Sequence, residues 1–455
     1  MKYDVVIIGG GPGGAACALD CAGYGLKTAV VEKGLLGGTC LNRGCIPTKT
    51  LLFAANLLTD MKKAAKFGLS AGVVRADYPA LRRRCGEVTE AMRNGLAAML
   101  KKAKVDILEG TGSVPEAGKV SVKNGDGETI LEADHIVLAV GGAPAVPPIP
   151  GADLPGVYDS DSFLEELPQL KKLIIIGGGV IGCEFAEAYA AYGAEVTILE
   201  MMPRLLPPFD ADPAKRLAAE FKKKGVSVLT KAAVKTIEKT ETGLIVSYEL
   251  GGKLCTAEAD GVLVATGRRP ATKDLVAGDI RMNRGCYEVS EHFETSVPHI
   301  YAIGDIAYGY IPLAHAAQSE GKIAAAAIAG KPCAINPKLI PQCVYTLPEI
   351  ATVGISEEEA KEKGIRLITG KSVMGSNAKS FISDLGGSVK LLAGEDGKLL
   401  GAQFYCHGAD NMVSEAALAI ENGLTVSEFL KITRPHPSVE ESLGAASEDL
   451  MKKLK

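Results

Sequence analysis

Apolar runs in this chain end in glycine turns and give way to small-residue stretches, and the plan is written out twice. Val5–Ile8 is unbroken apolar chain, ends at Gly9-Gly10-Gly11, and leads into a stretch rich in glycine, alanine and cysteine. Leu173–Ile176 ends at Gly177-Gly178-Gly179 and leads into a second stretch of the same kind. A short unbroken apolar run suits a strand buried on both faces, and a small-residue segment after a glycine turn suits a helix packed closely on it. Each unit then reaches a second strand closing on an acid, Ala29–Val31 before Glu32 and Val196–Leu199 before Glu200. Gly9 to Glu32 and Gly177 to Glu200 each span 23 residues, and Tyr24-Gly25 recurs as Tyr192-Gly193 at the offset of 168 that separates Gly9 from Gly177. One glycine turn of this kind is a weak signal. Two complete strand-turn-helix-strand-acid units at one spacing are a strong one.

The physics of such a unit is that of a pyrophosphate site. Gly9, Gly11 and Gly14, and again Gly177, Gly179 and Gly182, satisfy the spacing that permits a tight turn, close backbone approach to phosphate, and helix-to-strand contact. Amide N–H groups at the helix N-terminus and its dipole favour the anion. Glu32 and Glu200 are placed to accept from a ribose hydroxyl, and Glu200 would repel a 2′-phosphate, so the second site is expected to take NAD in preference to NADP. Arg204, the nearby cation, reads as a surface residue.

Punctuation between the units sets the domains. A proline-rich connector within 138–151 separates the first unit from the second, and ADGVLVATGRRP over 259–270 closes the second with Gly267 placed to approach a cofactor. The strand Ile300–Ile303 ends at Gly304-Asp305, where an acid at a strand's C-terminal end suggests a ribityl or ribose contact. The expected architecture is α/β: two Rossmann-like dinucleotide-binding domains plus a separate C-terminal α+β domain. Boundaries are expected at 1–148, 149–268, 269–338 and 339–455.

Composition narrows the class. The 455 residues carry a net charge of −4 with interspersed signs, which argues against a nucleic-acid or anionic-membrane partner. No apolar run approaches the roughly 20 residues that cross a bilayer, and the N-terminus lacks the pattern of a signal peptide. Eleven scattered cysteines, an odd number, suit a reduced, cytoplasmic protein in which an oxidisable pair would be catalytic.

Cys40 and Cys45, in GGTCLNRGCIPTK, are the candidate pair. Five residues apart on a regular helix they would stand about 8–9 Å apart at Cα, and a disulfide needs about 4.4–6.8 Å. Closure therefore requires a distorted turn, which Gly44 permits, with Pro47 suited to the first turn of the helix that follows. Two unpaired structural cysteines or a zinc site are the alternatives; zinc lacks a second Cys/His pair at ligand spacing, so no metal is expected. Acid–base chemistry on a thiol calls for a histidine. His436, bracketed by Pro435 and Pro437 with Glu441 five residues on, has an orienting carboxylate within reach; a plain surface loop is the alternative.

With these elements in place the chain resembles the pyridine nucleotide–disulfide oxidoreductases over essentially its whole length. The matching segments are GGTCLNRGCIPTK, GGGVIGCEFA, ATGRRP, IYAIGDIA followed by IPLAHAA, YTLPEIATVG and HPSVEE. The resemblance implies that 1–148 is an FAD-binding domain, 149–268 an NAD-binding domain, 269–338 a central, FAD-contacting domain and 339–455 a dimerisation (interface) domain, and that FAD is held by Gly9, Gly11, Gly14, Glu32, Gly112 and Asp305. The same motifs add Gly38, Thr39, Lys49, Gly304, Leu313, Ala314 and His315 to the cofactor site, and Gly177, Gly179, Gly182, Glu200 and Gly267 are implied to hold NAD. It further implies a redox-active Cys40–Cys45 disulfide, with Cys40 meeting the substrate and Cys45 against the flavin. Lys49, otherwise an ordinary helix-surface lysine, would pair with Glu184 near the flavin, and His436 with Glu441 would serve the dithiol of the other subunit in a homodimer.

The activity so implied is FAD-dependent oxidation of protein-bound dihydrolipoamide, with NAD reduced to NADH. The partner would be a lipoylated carrier protein, or the E2 subunit of a 2-oxo acid dehydrogenase or glycine cleavage complex. Alternatives are another NAD(P)H-dependent disulfide reductase of the family, glutathione-like or mercuric, or a mainly structural flavoprotein subunit. Glu200 argues against NADPH, and EDLMKKLK at the C-terminus carries no cysteine pair. Arg43 and Ser438 depart from the residues usual in the family, and Arg43 adds charge beside the dithiol.

Overall fold

A computed structural model of the chain describes residues 1–125 and 127–454. Lys455, the last residue of the expected interface domain, lies outside the described residues. The first sheet is built on Lys2–Ile8, with Thr28–Glu32 on one side and Gly127–Leu138 on the other, all parallel. Asp106–Glu109 extends one edge in parallel; Lys119–Asn124 and Thr111–Glu116 extend the other as an antiparallel ribbon. Val5, Val6 and Ile7 are fully buried, which explains the unbroken apolar run.

The strand Ile300–Ala302 returns to this sheet and pairs in parallel with Gly127–Leu138. Behind it, the helix Ala314–Ile328 packs on the helix Pro12–Gly23 that follows the first glycine turn. The approach is so close that a Cβ on Gly321 would stand 2.4 Å from the Gly13 carbonyl oxygen. Small residues along both helices make that contact possible.

The second unit is a five-stranded parallel sheet centred on Lys172–Ile176, flanked by Glu195–Glu200 and Gly261–Val264, with Ser227–Thr230 and Val157–Asp159 at its edges. A three-stranded antiparallel sheet, Ala232–Lys239, Leu244–Leu250 and Lys253–Ala259, crosses between its last strands. The C-terminal part is a five-stranded antiparallel sheet whose centre is Leu399–Cys406, covered by the helices Ala409–Glu421 and Glu441–Lys453. Among the described residues no helix is long and apolar enough to cross a membrane.

Candidate functional site

The two glycine turns superimpose in chemistry as well as in sequence. Gly9 and Gly177 adopt φ of +109° and +110°, and a Cβ on either would lie within 2.5 Å of the carbonyl oxygen of Ala139 or Ala265 on the neighbouring strand. On Gly14 and Gly182 a Cβ would meet the oxygen of Gly9 or Gly177 at 1.9 and 2.0 Å, so these residues set the helix against the strand end. Gly11 and Gly179 differ: a Cβ on Gly179 would meet no atom within 4 Å, and one on Gly11 only the Gly38 Cα at 3.9 Å. Both line a shared cavity of about 1900 Å³. The backbone there is bare and open, which is the shape a dinucleotide's phosphates require.

Glu32 and Glu200 do matching work. One oxygen of Glu32 accepts the Gly10 N–H at 2.7 Å and the other the Gly34 N–H at 2.9 Å. Glu200 accepts Gly178 at 2.5 Å and Met202 at 2.6 Å. Each carboxylate thus pins its own glycine turn while facing the cavity, with lone pairs left for a ribose hydroxyl. Arg204 is not the free surface cation that its position in the sequence suggests. It grips both oxygens of Glu358 at 2.7 Å and donates to the Phe209 carbonyl at 2.9 Å, tying the second unit to the C-terminal domain. Its charge is therefore engaged away from Glu200, which fits a ribose without a 2′-phosphate.

The dithiol segment is fastened to the first turn by the Gly37 N–H, which donates to the Gly10 carbonyl at 2.8 Å. Two helices, Gly38–Arg43 and Cys45–Lys63, meet at Gly44, whose backbone (φ −150°, ψ −113°) breaks the helical path between the cysteines. A Cβ there would stand 3.0 Å from the Thr39 carbonyl oxygen. Pro47 occupies the third position of the second helix, within the first turn, where an N–H would have no helical partner. Cys40 and Cys45 are free thiols that interact with each other. The interaction with Cys45, with burial, pushes Cys40 well up; the interaction with Cys40 and then the Lys49 charge bring Cys45 down to about 7. Of the two, Cys45 is the one whose thiolate is favoured.

Lys49, one turn into the second helix, makes an ion pair with Glu184 at 2.8 and 3.0 Å. Glu184 is buried on the helix Val180–Tyr192, so the two nucleotide units meet at this pair. Gly38, Thr39, Gly112, Gly267, Gly304 and Asp305 all face the same cavity, as do Leu313, Ala314 and His315. Burial raises Asp305, with the Arg268 charge opposing. Gly14 and Gly182 lie behind the wall.

His436 and Glu441 do pair, Nδ1 to Oε1 at 2.9 Å, and the Ser438 N–H donates to the other Glu441 oxygen at 3.0 Å. Those two bonds, the backbone one first, lower Glu441. The histidine is exposed and does not line the cavity of its own chain.

Three participants escaped the sequence reading. Arg268 donates to Thr39 Oγ1, next to Cys40, at 3.1 Å and pairs with Asp161 at 3.0 Å; the Arg43 guanidinium turns toward the same Asp161 at 4.0 Å. Glu320, pushed up to about 7 by burial, accepts the Gly304 N–H at 2.6 Å and so holds the turn that carries Asp305. Tyr345 lays its ring 4.6 Å from Lys49 Nζ. Only the matched segments ATGRRP and YTLPEIATVG signalled two of these.

Comparison with known proteins agrees with this geometry. The profile of the pyridine nucleotide-disulphide oxidoreductases matches residues 3–321, and that of their dimerisation domain matches residues 340–447. A dihydrolipoyl dehydrogenase of Geobacillus stearothermophilus is 38% identical over 98% of this chain and 96% of its own, and one of Bacillus subtilis is 36% identical over the same shares. Among solved structures, LpdA from Mycobacterium tuberculosis superposes with a TM-score of 0.91 at 27% identity, covering 99% of this chain and 100% of that one. The HOCl-induced flavoprotein disulfide reductase RclA from Escherichia coli follows at 0.85 and 28%, covering 98% and 99%.

Proposed function

Because this chain belongs to the pyridine nucleotide-disulphide oxidoreductase family, we propose that it oxidises a protein-bound dihydrolipoyl group to the cyclic disulfide, with FAD and NAD as cofactors. The observation that carries the reading is one cavity holding two bare glycine turns, the Cys40–Cys45 pair between them, and Lys49 paired with Glu184. FAD is assigned to the turn at Gly9, Gly11 and Glu32 with Gly112, Gly304 and Asp305, and NAD to the turn at Gly177, Gly179 and Glu200 with Gly267. When bound, these groups supply a two-electron path that ends as hydride on the nicotinamide.

The residues of the chain do the thiol chemistry. His436, its Nδ1 held by Glu441, takes a proton at Nε2 from the dihydrolipoyl thiol. The resulting thiolate attacks Cys40 Sγ of the oxidised pair; the Cys40–Cys45 bond breaks, and Cys45 leaves as a thiolate. A pKa of about 7 makes it a good leaving group near neutrality. The second lipoyl thiol then attacks the mixed disulfide, Cys40 leaves as a thiol, and the lipoyl ring closes. Two electrons have passed from two substrate thiols to the protein pair.

The histidine is supplied to the dithiol by a second copy, in a homodimer formed through the matched dimerisation domain. Phe53, Leu57 and Met61, at i, i+4 and i+8 along the dithiol helix, remain exposed in the single chain and suit such a contact. The proposed partner is a lipoylated carrier protein or the lipoyl-bearing subunit of a 2-oxo acid dehydrogenase or glycine cleavage complex. The cytoplasm, which keeps thiols reduced, is the proposed compartment.

Anaerobic mixing of oxidised protein with dihydrolipoamide, followed by thiol alkylation and mass spectrometry, tests the reading. Two new thiols per chain, at Cys40 and Cys45, are expected. Protein that holds FAD yet gains none would move the substrate to another disulfide.

A further inference from the structure

Lys49 is held by a second group besides Glu184. Its Nζ stands 4.6 Å from the centroid of the Tyr345 ring, and the Tyr345 backbone N–H donates to Glu184 Oε1 at 3.1 Å. Tyr345 follows the strand Gln342–Val344 of the C-terminal sheet, so the dimerisation domain reaches both members of the ion pair. Nearby, Lys224 Nζ pairs with the buried Glu187 at 2.6 Å and also donates to the Leu347 carbonyl, fastening the same loop to the helix that carries Glu184. All three parts of the chain therefore converge on one ammonium group.

We propose that Tyr345 is a positioning residue of the redox centre, its ring face and backbone N–H together fixing the Lys49 ammonium where it stabilises the Cys45 thiolate. The inference rests on the proposed role of the Cys40–Cys45 pair. A ring face attracts a cation most strongly when water is scarce, and the Lys49 side chain is only 32% exposed. The groups that act on Cys45 are Cys40, Lys49 and Glu184, of which Lys49 favours the thiolate and Glu184 opposes it. Around Tyr345 stand Cys343, Asp410, Glu184 and Glu349. Without the ring, Lys49 would keep its contact with Glu184 and lose the second hold on its position.

The test is a pH titration of the long-wavelength absorbance that a thiolate gives against oxidised flavin. It is followed in the full-length holoprotein after anaerobic reduction by one electron pair. No lipoyl substrate or NAD is present, so the outcome is independent of the substrate assignment, which the alkylation experiment tests separately. Y345L should move the midpoint upward by about one pH unit. Y345F keeps the ring and should leave the midpoint in place, a rescue that a merely structural role for the hydroxyl would not give. Should Y345L fail to fold, pentafluorophenylalanine at position 345 keeps the shape and reverses the ring's quadrupole, and the same upward shift is expected. An unchanged midpoint in Y345L, or in the fluorinated protein if that is the one tested, overturns the proposal. So does an equal shift in Y345F.

Discussion

Replacing one glycine of the second turn at a time separates cofactor space from packing space. In Gly179→Ala the new Cβ meets no atom within 4 Å, and the φ of −74° is one that alanine adopts freely. The protein without NAD should therefore keep its thermal midpoint and its FAD. The methyl group does intrude on the cavity side of the turn, where backbone N–H groups would meet phosphate. Losing one hydrogen bond to a charged group costs about 1.5–3 kcal/mol, so the KM for NAD should rise roughly tenfold to 150-fold. In Gly182→Ala the Cβ would stand 2.0 Å from the Gly177 carbonyl oxygen, a contact that backbone must move to relieve. Overpacking of that kind costs about 1–3 kcal/mol or more, and the thermal midpoint should fall. Steady-state kinetics against NAD, with differential scanning fluorimetry of the same preparations, gives both readouts. A Gly179→Ala protein with unchanged KM, or a Gly182→Ala protein as stable as the parent, would refute the division of roles.

Other expectations follow from the same geometry. His436→Gln should leave NADH reduction of the flavin intact and lower dihydrolipoamide turnover by about 10²–10⁴-fold; unchanged turnover in stopped-flow and steady-state assays would remove His436 as the base. In the reduced protein the thiolate-to-flavin absorbance should be full at alkaline pH and fade as pH falls through about 7, because the pKa of Cys45 is depressed and protonation below it destroys the thiolate. Cys40→Ala removes the neighbouring thiol that contributes most to that depression, so its midpoint should lie higher in the same titration. Leu57→Glu places a charge in the exposed apolar stripe between Phe53 and Met61. Sedimentation should show dissociation with loss of turnover and retention of FAD, and an intact dimer would remove this face from the interface.

What the sequence made legible was whatever depends on neighbours along the chain. The two glycine turns, their acids and the break at Gly44 are local geometry, so spacing alone predicts them. The His436–Glu441 bond joins residues five apart and was equally readable. Arg204 shows where such reading stops. Its partner Glu358 lies 154 positions away, and nothing beside Arg204 reveals that its charge is spent on another domain. Tyr345 and Glu184 are 161 apart, and Arg268 and Thr39 are 229 apart. Each of these contacts exists only because separate domains pack together, and a pattern read along one segment carries no information on that packing. Glu320 was hidden for a different reason. A glutamate in an alanine-rich helix looks like a solvated position until Ala314–Ile328 is seen to pack on the first nucleotide helix and turn it inward.

The central claim, that the cavity joins a lipoyl dithiol to NAD, is met most directly by one measurement: NADH formation when the purified holoprotein is mixed with dihydrolipoamide and NAD, with NADP run in parallel. Rapid turnover with NAD and little with NADP is expected, since the Glu200 carboxylate lines the cavity at the second glycine turn and Arg204 is held by Glu358. Equal or better turnover with NADP would contradict the assignment of the second turn, and no NADH from protein that retains its flavin would contradict the substrate.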